Sequence, residues 1–223
     1  MISVIIPVLN NGFLVKNLLT DIKNNIEKPK EIFVIDDGSI EDIKSIIFEF
    51  KDLKIKYIRH NKTMGFNYVC NEGKKLSTGD FISFLNDDII INKYFFKKIR
   101  ESFLVDWRIG IVCPSTVKNK KIVLETKDIP VVLSDMKKRE GWAYTARRSF
   151  LKRIQPIPSI LRTYCGDDYI FYCAKRLTYY CKKMTNNYIF HYGGLTVGKT
   201  KECSGERKKE KIKWNEYKSK MHK

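Results

Sequence analysis

Short apolar runs recur through the first half of this chain, and each stops abruptly at polar residues. "SVIIPVL" (3–9) gives way to Asn10, "EIFVI" (31–35) to "DDGS", and "DFISFL" (80–85) to Asn86-Asp87-Asp88. Runs this short and this rich in β-branched residues suit strands buried on both faces. Between them lie stretches with helical spacing: Leu14, Leu18, Leu19, Ile22 and Ile26 over 14–26, Ile43, Ile46, Ile47 and Phe50 over about 40–50, then 65–76. With "KIKYI" (54–58) as a further strand, strand and helix alternate repeatedly. That pattern predicts an α/β fold, a mostly parallel central sheet flanked by helices.

Ligands of such sheets bind beyond the carboxyl ends of the strands. The three polar clusters all fall there, so distant segments converge on one edge. Two adjacent carboxylates after an apolar strand are costly to bury unless something positive meets them. Asp87-Asp88 can open a helix or hold a hard divalent cation whose shell a substrate phosphate completes. Asp36-Asp37-Gly38-Ser39 can be a turn with an N-cap, or a pair of acceptors for a nucleobase imide or a ribose hydroxyl. No GxGxxG follows the first strand, which disfavours a dinucleotide fold. Ser39 and Asp42 are spaced as in a capping box.

The second half is less regular. Residues 108–115 and 121–126 read as strands, 141–154 as a strand entering a short helix, 166–183 as one helix, and 187–194 as a strand and turn. The helix over 166–183 has acids at its start and bases at its end, as the dipole favours. A loop surrounds Pro130 and 135–140, and 199–223 is a basic tail read as a frayed helix.

Charge separates the halves. Residues 1–110 hold 17 basic and 15 acidic side chains, and 111–223 hold 26 and 10, so nearly all of the net +18 lies in the second half. A Lys-rich bias with solvated helix faces would spread over the whole chain, so the asymmetry points to a polyanionic partner for that half. The six cysteines form no CxxC pair and there are three histidines, which argues against zinc and for reduced, structural thiols. No stretch approaches the roughly 20 apolar residues of a membrane span. Met1 leads directly into the first strand without a signal-peptide pattern, so the expectation is a soluble, intracellular protein.

The ordered set "SVIIPVLN", "FVIDDGS", "GFNYVCNEG", "GDFISFLNDD", "GWA", "GDD" and "HYGG" resembles the family 2 glycosyltransferases of the GT-A fold. The resemblance covers roughly residues 1–195. It implies one GT-A domain over 1–198, with a nucleotide-sugar half (1–110) and an acceptor half (111–198), followed by the tail. It implies an inverting transfer from a nucleotide-diphosphate sugar to an acceptor hydroxyl, with Mn²⁺ or Mg²⁺ as cofactor. By the same resemblance Asp37 contacts the base with Asp36 nearby, and Pro7 and Asn10 line that pocket. Asn86, Asp87 and Asp88 match the DXD-type motif, Asp88 for the metal and Asp87 for the ribose or sugar. Asn71 joins the donor site, while Cys70 stands where the family has an arginine facing the nucleotide sugar. Asp168, preceded by Asp167, matches the general base, Gly141-Trp142 the sugar and acceptor pocket, and His191 a residue near the diphosphate or metal.

The family's common acceptors imply a surface polysaccharide or lipid-linked glycan, made in the cytoplasm or at the inner face of the membrane. A second acceptor class is nucleic acid, such as 5-hydroxymethylated pyrimidine in viral DNA within a host cytoplasm. Lys137, Lys138, Arg139, Arg147, Arg148, Lys152, Arg153 and Arg162 interleave with Trp142, Tyr144, Tyr164, Tyr169 and Tyr172, as phosphate contacts and stacking platforms would. A third reading is a nucleotide-binding module that has lost catalysis.

Overall fold

The computed structural model describes residues 1–136, 140–193 and 201–221, of which 201–203 by backbone alone. The chain runs β1 (Ile2–Val8), α1 (Gly12–Lys23), β2 (Glu31–Asp36), α2 (Ile43–Phe48), β3 (Ile55–Arg59), α3 (Phe66–Leu76) and β4 (Phe81–Leu85). It continues through β5 (Ile89–Ile91), α4 (Phe95–Val105), β6 (Ile109–Val117), α5 (Lys120–Leu124), β7 (Leu133–Asp135), β8 (Ala143–Arg147) and α6 (Arg148–Leu151). α7 (Gly166–Arg176), β9 (Tyr180–His191) and α8 (Lys201–Lys220) complete it.

The strands form one sheet in the order β3-β2-β1-β4-β8-β6-β9-β5, with β7 also on β9. β1 to β4 are mutually parallel, and β8 runs antiparallel to both β4 and β6. β6 and β9 therefore point the same way as β1, and the sheet is mostly parallel, as the alternating pattern predicts. Two cores sandwich it. Val4, Ile6 and Val8 of β1 face one core with Leu18, Ile22, Phe96 and Ile99, while Ile5 faces the other with Val69, Phe150 and Ile170. This is the two-residue period of a strand covered on both faces.

The amino ends of the strands are closed by a buried acid. Glu31 accepts from Ser3 Oγ at 2.7 Å, from Thr78 N and Oγ1 at 2.8 Å each, and from Lys56 Nζ at 2.8 Å. Its pKa falls to about 2, because these bonds, Lys56 first among them, outweigh a burial that alone would raise it.

Three local expectations are corrected. Residues 121–126 form most of helix α5 and not a strand, because Asn119 caps Lys121 N at 2.9 Å and the chain winds on from there. The helix expected over 166–183 ends at Arg176; Thr178 then takes a left-handed φ of 58° and the chain turns into β9. α2 starts later than Ser39 because Asp42 is its N-cap, accepting from Ser45 N at 3.1 Å, while Ser39 Oγ is used elsewhere. Within the tail, Lys201–Lys220 form helix α8. Glu210, Trp214, Tyr217 and Met221 make one inward stripe at helical spacing, with Trp214 only 6% exposed against Tyr169 and Tyr172.

Candidate active site

At the carboxyl ends of β1 and β2 two loops lock together. Asn10 and Asn11 both have left-handed backbone, φ 61° and 63°. Asn10 N donates to Ser39 Oγ at 2.8 Å, and Asn10 Oδ1 accepts from Ile40 N at 2.9 Å. Glu41 accepts from Asn11 N and Gly12 N, placing a carboxylate on the amino terminus of α1.

The two acids of "DDGS" are both enclosed. Asp36 is fully buried, Oδ1 accepting from Ser39 N at 2.7 Å and Oδ2 from Tyr57 OH at 2.7 Å and Arg59 Nη1 at 2.5 Å. Burial alone would raise its pKa; the Ser39 bonds, Tyr57 and Arg59 reverse that and hold it low. Asp37 accepts from Met64 N and Gly65 N at 2.8 Å each, which fixes the loop before α3. His60 sits between acids, Nδ1 2.9 Å from Asp37 Oδ1 and Nε2 2.8 Å from Glu72 Oε2. Burial works against the imidazolium, but the two carboxylates outweigh it and raise the His60 pKa.

The second cluster follows β4. Asp87 and Asp88 are each 2% exposed. Asn86 N donates to Trp142 O at 2.9 Å, joining this turn to the start of β8. The chain then crosses from the middle of the sheet to its edge beyond β9, where β5 pairs with β9 and sets Ile89 opposite His191. His191 Nε2 lies 3.1 Å from Asp88 Oδ1. That oxygen is buried and accepts no hydrogen bond, although the imidazole is its near neighbour. Two ligand-type side chains thus converge without satisfying each other, as they would around a cation. Among the described residues no cluster of three or more His, Cys, Asp or Glu is arranged to hold a metal unaided.

Trp142 stacks on His191 with ring centroids 4.8 Å apart and an interplanar angle of 12°. Its Nε1 donates to Thr116 Oγ1 at 2.8 Å, and Thr116 Oγ1 is 2.6 Å from Glu140 Oε2, whose other oxygen takes Lys183 Nζ at 2.7 Å. Thr116, Lys118, Glu140, Trp142, Phe190 and His191 line a cavity of about 420 Å³.

Asp167 and Asp168 occupy the first turn of α7. Asp167 lies against Gly141, where an added Cβ would sit 2.3 Å from Oδ2. A continuous line of contacts thus runs from Asp88 through His191, Trp142 and Gly141 to Asp167. Cys165, the N-cap residue of α7, has a left-handed φ of 60°. Its thiol is pushed up to about 12 by burial first and then by the Asp168 and Asp167 carboxylates, so it stays protonated.

The remaining expected residues have structural partners. Asn71 exchanges two hydrogen bonds with Ile157, Nδ2 to O at 2.9 Å and Oδ1 from N at 2.8 Å, so both ends of its amide hold that segment. Cys70 is 1% exposed, and burial drives its pKa up. Pro7 is buried in β1 opposite Ile35. Of the expected basic and aromatic surface, Lys152, Arg153 and Arg162 are exposed and Trp142, Arg148, Tyr164 and Tyr172 half-buried, while three members are used inside the fold. Tyr144 and Tyr169 are core residues, and Arg147 lies over Phe81 and Phe103 while donating to Phe103 O and Ile109 O. Lys137, Lys138, Arg139 and Gly194 lie outside the described residues.

The sequence model described as "Glycosyl transferase family 2" matches residues 3–188. The chain belongs to this family. Among relatives of this family 2 glycosyltransferase is the GalNAc(5)-diNAcBac-PP-undecaprenol β-1,3-glucosyltransferase of Campylobacter jejuni, 37% identical over 90 residues, 39% of this chain and 29% of that protein. The pre-mycofactocin glycosyltransferase of Mycobacterium tuberculosis is 27% identical over 116 residues, 52% of this chain and 23% of that one. The matched segments thus span less than a third of either relative. Among solved structures, the Pyrobaculum calidifontis mannosyltransferase PcManGT in complex with GDP-Man and Mn²⁺ superposes with a TM-score of 0.69 at 16% identity, over 88% of this chain and 58% of that one. S. aureus TarS gives 0.68 at 18% identity, over 85% and 60%. The fold is GT-A.

His60, Arg59, Glu72, Glu41, Thr116, Glu140, Lys183 and Glu210 carry no local sequence signal. Each acts on a segment distant in sequence, and only the fold joins them.

Proposed function

We propose that this glycosyltransferase moves a sugar with inversion from a nucleotide-diphosphate sugar to an acceptor hydroxyl, using Mn²⁺ or Mg²⁺. The observation that carries this reading is the single sheet edge on which buried Asp88 meets His191, linked through Trp142 and Gly141 to the acids of α7. Asp88 and His191 would hold the cation, which when bound offsets charge developing on the departing diphosphate. Asp87 and Asn86 serve the ribose or sugar from the same turn. Asp37, with Asn10 and Pro7 beside it, borders the base pocket, and Asp36 braces that pocket from below through Ser39 and Arg59. Asp168 takes the proton from the attacking hydroxyl. A single displacement from the face opposite the diphosphate inverts the anomeric centre. The Trp142 face and the cavity beside it receive the sugar or acceptor, with Gly141 leaving room for Asp167.

A surface polysaccharide or lipid-linked glycan is the acceptor best supported. The Campylobacter relative is named for an undecaprenol-linked glycan, and the burial of Tyr144 and Tyr169 removes two platforms on which bases would stack. The excess positive charge of the second half suits an anionic acceptor or membrane face. Among the described residues no helix is long and apolar enough to cross a membrane. Work at the cytoplasmic face through surface contact fits this reading.

The test is hydrolysis of UDP-GlcNAc and GDP-mannose with Mn²⁺, with Mg²⁺ and with chelator. Asp88→Ala should abolish metal-dependent turnover, and equal rates with chelator would remove the metal role. Asp168→Asn should retain donor binding and lose turnover; unchanged turnover would remove it as the base. Mass-detected transfer to lipid-linked glycan against hydroxymethylated DNA decides the acceptor class.

A further inference from the structure

The family match ends at residue 188, yet α8 beyond it reaches back to the segment that carries the proposed base. Glu210 is 8% exposed although it lies on a helix crowded with lysines. Its carboxylate points inward and accepts from Tyr164 N at 2.8 Å and from Thr163 N at 3.1 Å through both oxygens. Those amides immediately precede Cys165, whose left-handed backbone caps α7 and leads directly into the first turn that carries Asp167 and Asp168. The opposite side of the same turn is held by α3. Asn67 Nδ2 donates to Leu161 O and Tyr164 O at 3.0 Å each, and Asn67 N donates to Arg162 O at 3.0 Å. Gly166 sits so close that an added Cβ would lie 1.9 Å from Asn67 Oδ1. The turn therefore has one anchor on the donor-side half and one on α8.

We propose that Glu210 is a positioning residue for Asp168: from α8 it fixes the 163–164 turn, and with it the Cys165 cap and the first turn of α7. A carboxylate is suited to this task because it accepts from two adjacent backbone N–H groups at once, and such charge-assisted bonds are the stronger kind. Glutamine would put a donor against one of those amides. Trp214 and Tyr217, one and two turns further along, seat the helix on α7 and leave Glu210 no need to contribute to the core. The catalytic part of the inference rests on Asp168 being the base; the mechanical part does not.

The experiment uses the full chain as wild type, Glu210→Gln, Glu210→Ala, Asp168→Asn and the Asp168→Asn/Glu210→Gln double variant. Hydrogen exchange read by mass should show faster exchange over 163–169 in both Glu210 variants, with α8 around Trp214 still protected. Unchanged exchange over 163–169 overturns the proposal, whatever sugar the enzyme uses. Hydrolysis of UDP-GlcNAc and GDP-mannose should show kcat down about tenfold or more in Glu210→Gln with donor KM unchanged, since small misplacements of a catalytic group cost this much. The double variant should be no slower than Asp168→Asn alone, because the two residues act as one unit. Losses that multiply, or a lower Tm with kcat intact, overturn the positioning role. If Asp168→Asn keeps wild-type turnover while exchange over 163–169 still rises in the Glu210 variants, the base assignment fails and the mechanical link stands.

Discussion

Replacing Glu31 by glutamine isolates one electrostatic contribution at the closed end of the sheet. The Glu31 carboxyl drops from 4.5 to about 2, with Lys56, Ser3 and Thr78 opposing the cost of burial. Holding the carboxyl near 2 where the free group sits at 4.5 corresponds to about 3.4 kcal/mol. Lys56 is 56% exposed, so screening reduces the figure to about 2–3 kcal/mol. A depressed pKa contributes stability that is complete above the unfolded value of 4.5 and lost as pH falls towards about 2. Glu31→Gln should therefore lower the urea-unfolding free energy by about 2–3 kcal/mol at pH 7. The gap to wild type should narrow steadily between pH 5 and pH 3. Urea titrations followed by circular dichroism at pH 7, 5, 4 and 3 measure it. A gap that stays constant across that range would refute the reasoning, since the loss would then be one of shape or hydrogen bonding and not of charge.

Three further outcomes follow from the geometry. Gly141→Ala forces Asp167 away by about 1 Å, because the new Cβ would sit 2.3 Å from Oδ2; donor hydrolysis should fall by up to about 10²-fold with Tm nearly unchanged. Asp21, accepting from Ile91 N, is raised to about 6 by burial, so its folded form holds a proton more tightly and stability declines as pH rises from about 4 to about 6. Asp21→Asn should thus unfold at higher urea than wild type at pH 7.5, by about 1–2 kcal/mol, and equally at pH 4. His60 has a raised pKa, so the stability it gains from Asp37 and Glu72 is full below 6.5 and lost as pH climbs through the raised value; His60→Gln should cost more at pH 6 than at pH 9 by chemical unfolding.

The first half was legible in the sequence because each of its strands is short, apolar and followed by an abrupt polar stop. That pattern needs no knowledge of the rest of the chain. It located Asp36-Asp37 and Asp87-Asp88 on one edge. It could not show that Asp36 is spent on Ser39, Tyr57 and Arg59, since those partners belong to other elements. Residues 121–126 misled because Val123 alone among its apolar neighbours is buried, and the deciding signal was the cap at Asn119. Residues 166–183 misled because a left-handed Thr178 leaves no trace in composition. Glu210 was invisible for the opposite reason: among so many lysines, one inward-facing acid reads as charge pairing on a solvated helix.

The crossing between β4 and β5 sets an order of assembly. The chain leaves Asp88 and pairs its next three residues with a strand that ends at His191. A ribosome has therefore delivered both acids some hundred residues before the histidine that faces them. Until β9 emerges, β5 has no neighbour to pair with, and the buried carboxylates have neither their enclosure nor their partner. The nascent first half can form its parallel strands early, but it cannot close this site alone. On the role proposed for Asp88, competence for donor binding should be acquired late in synthesis, at the moment the two halves meet.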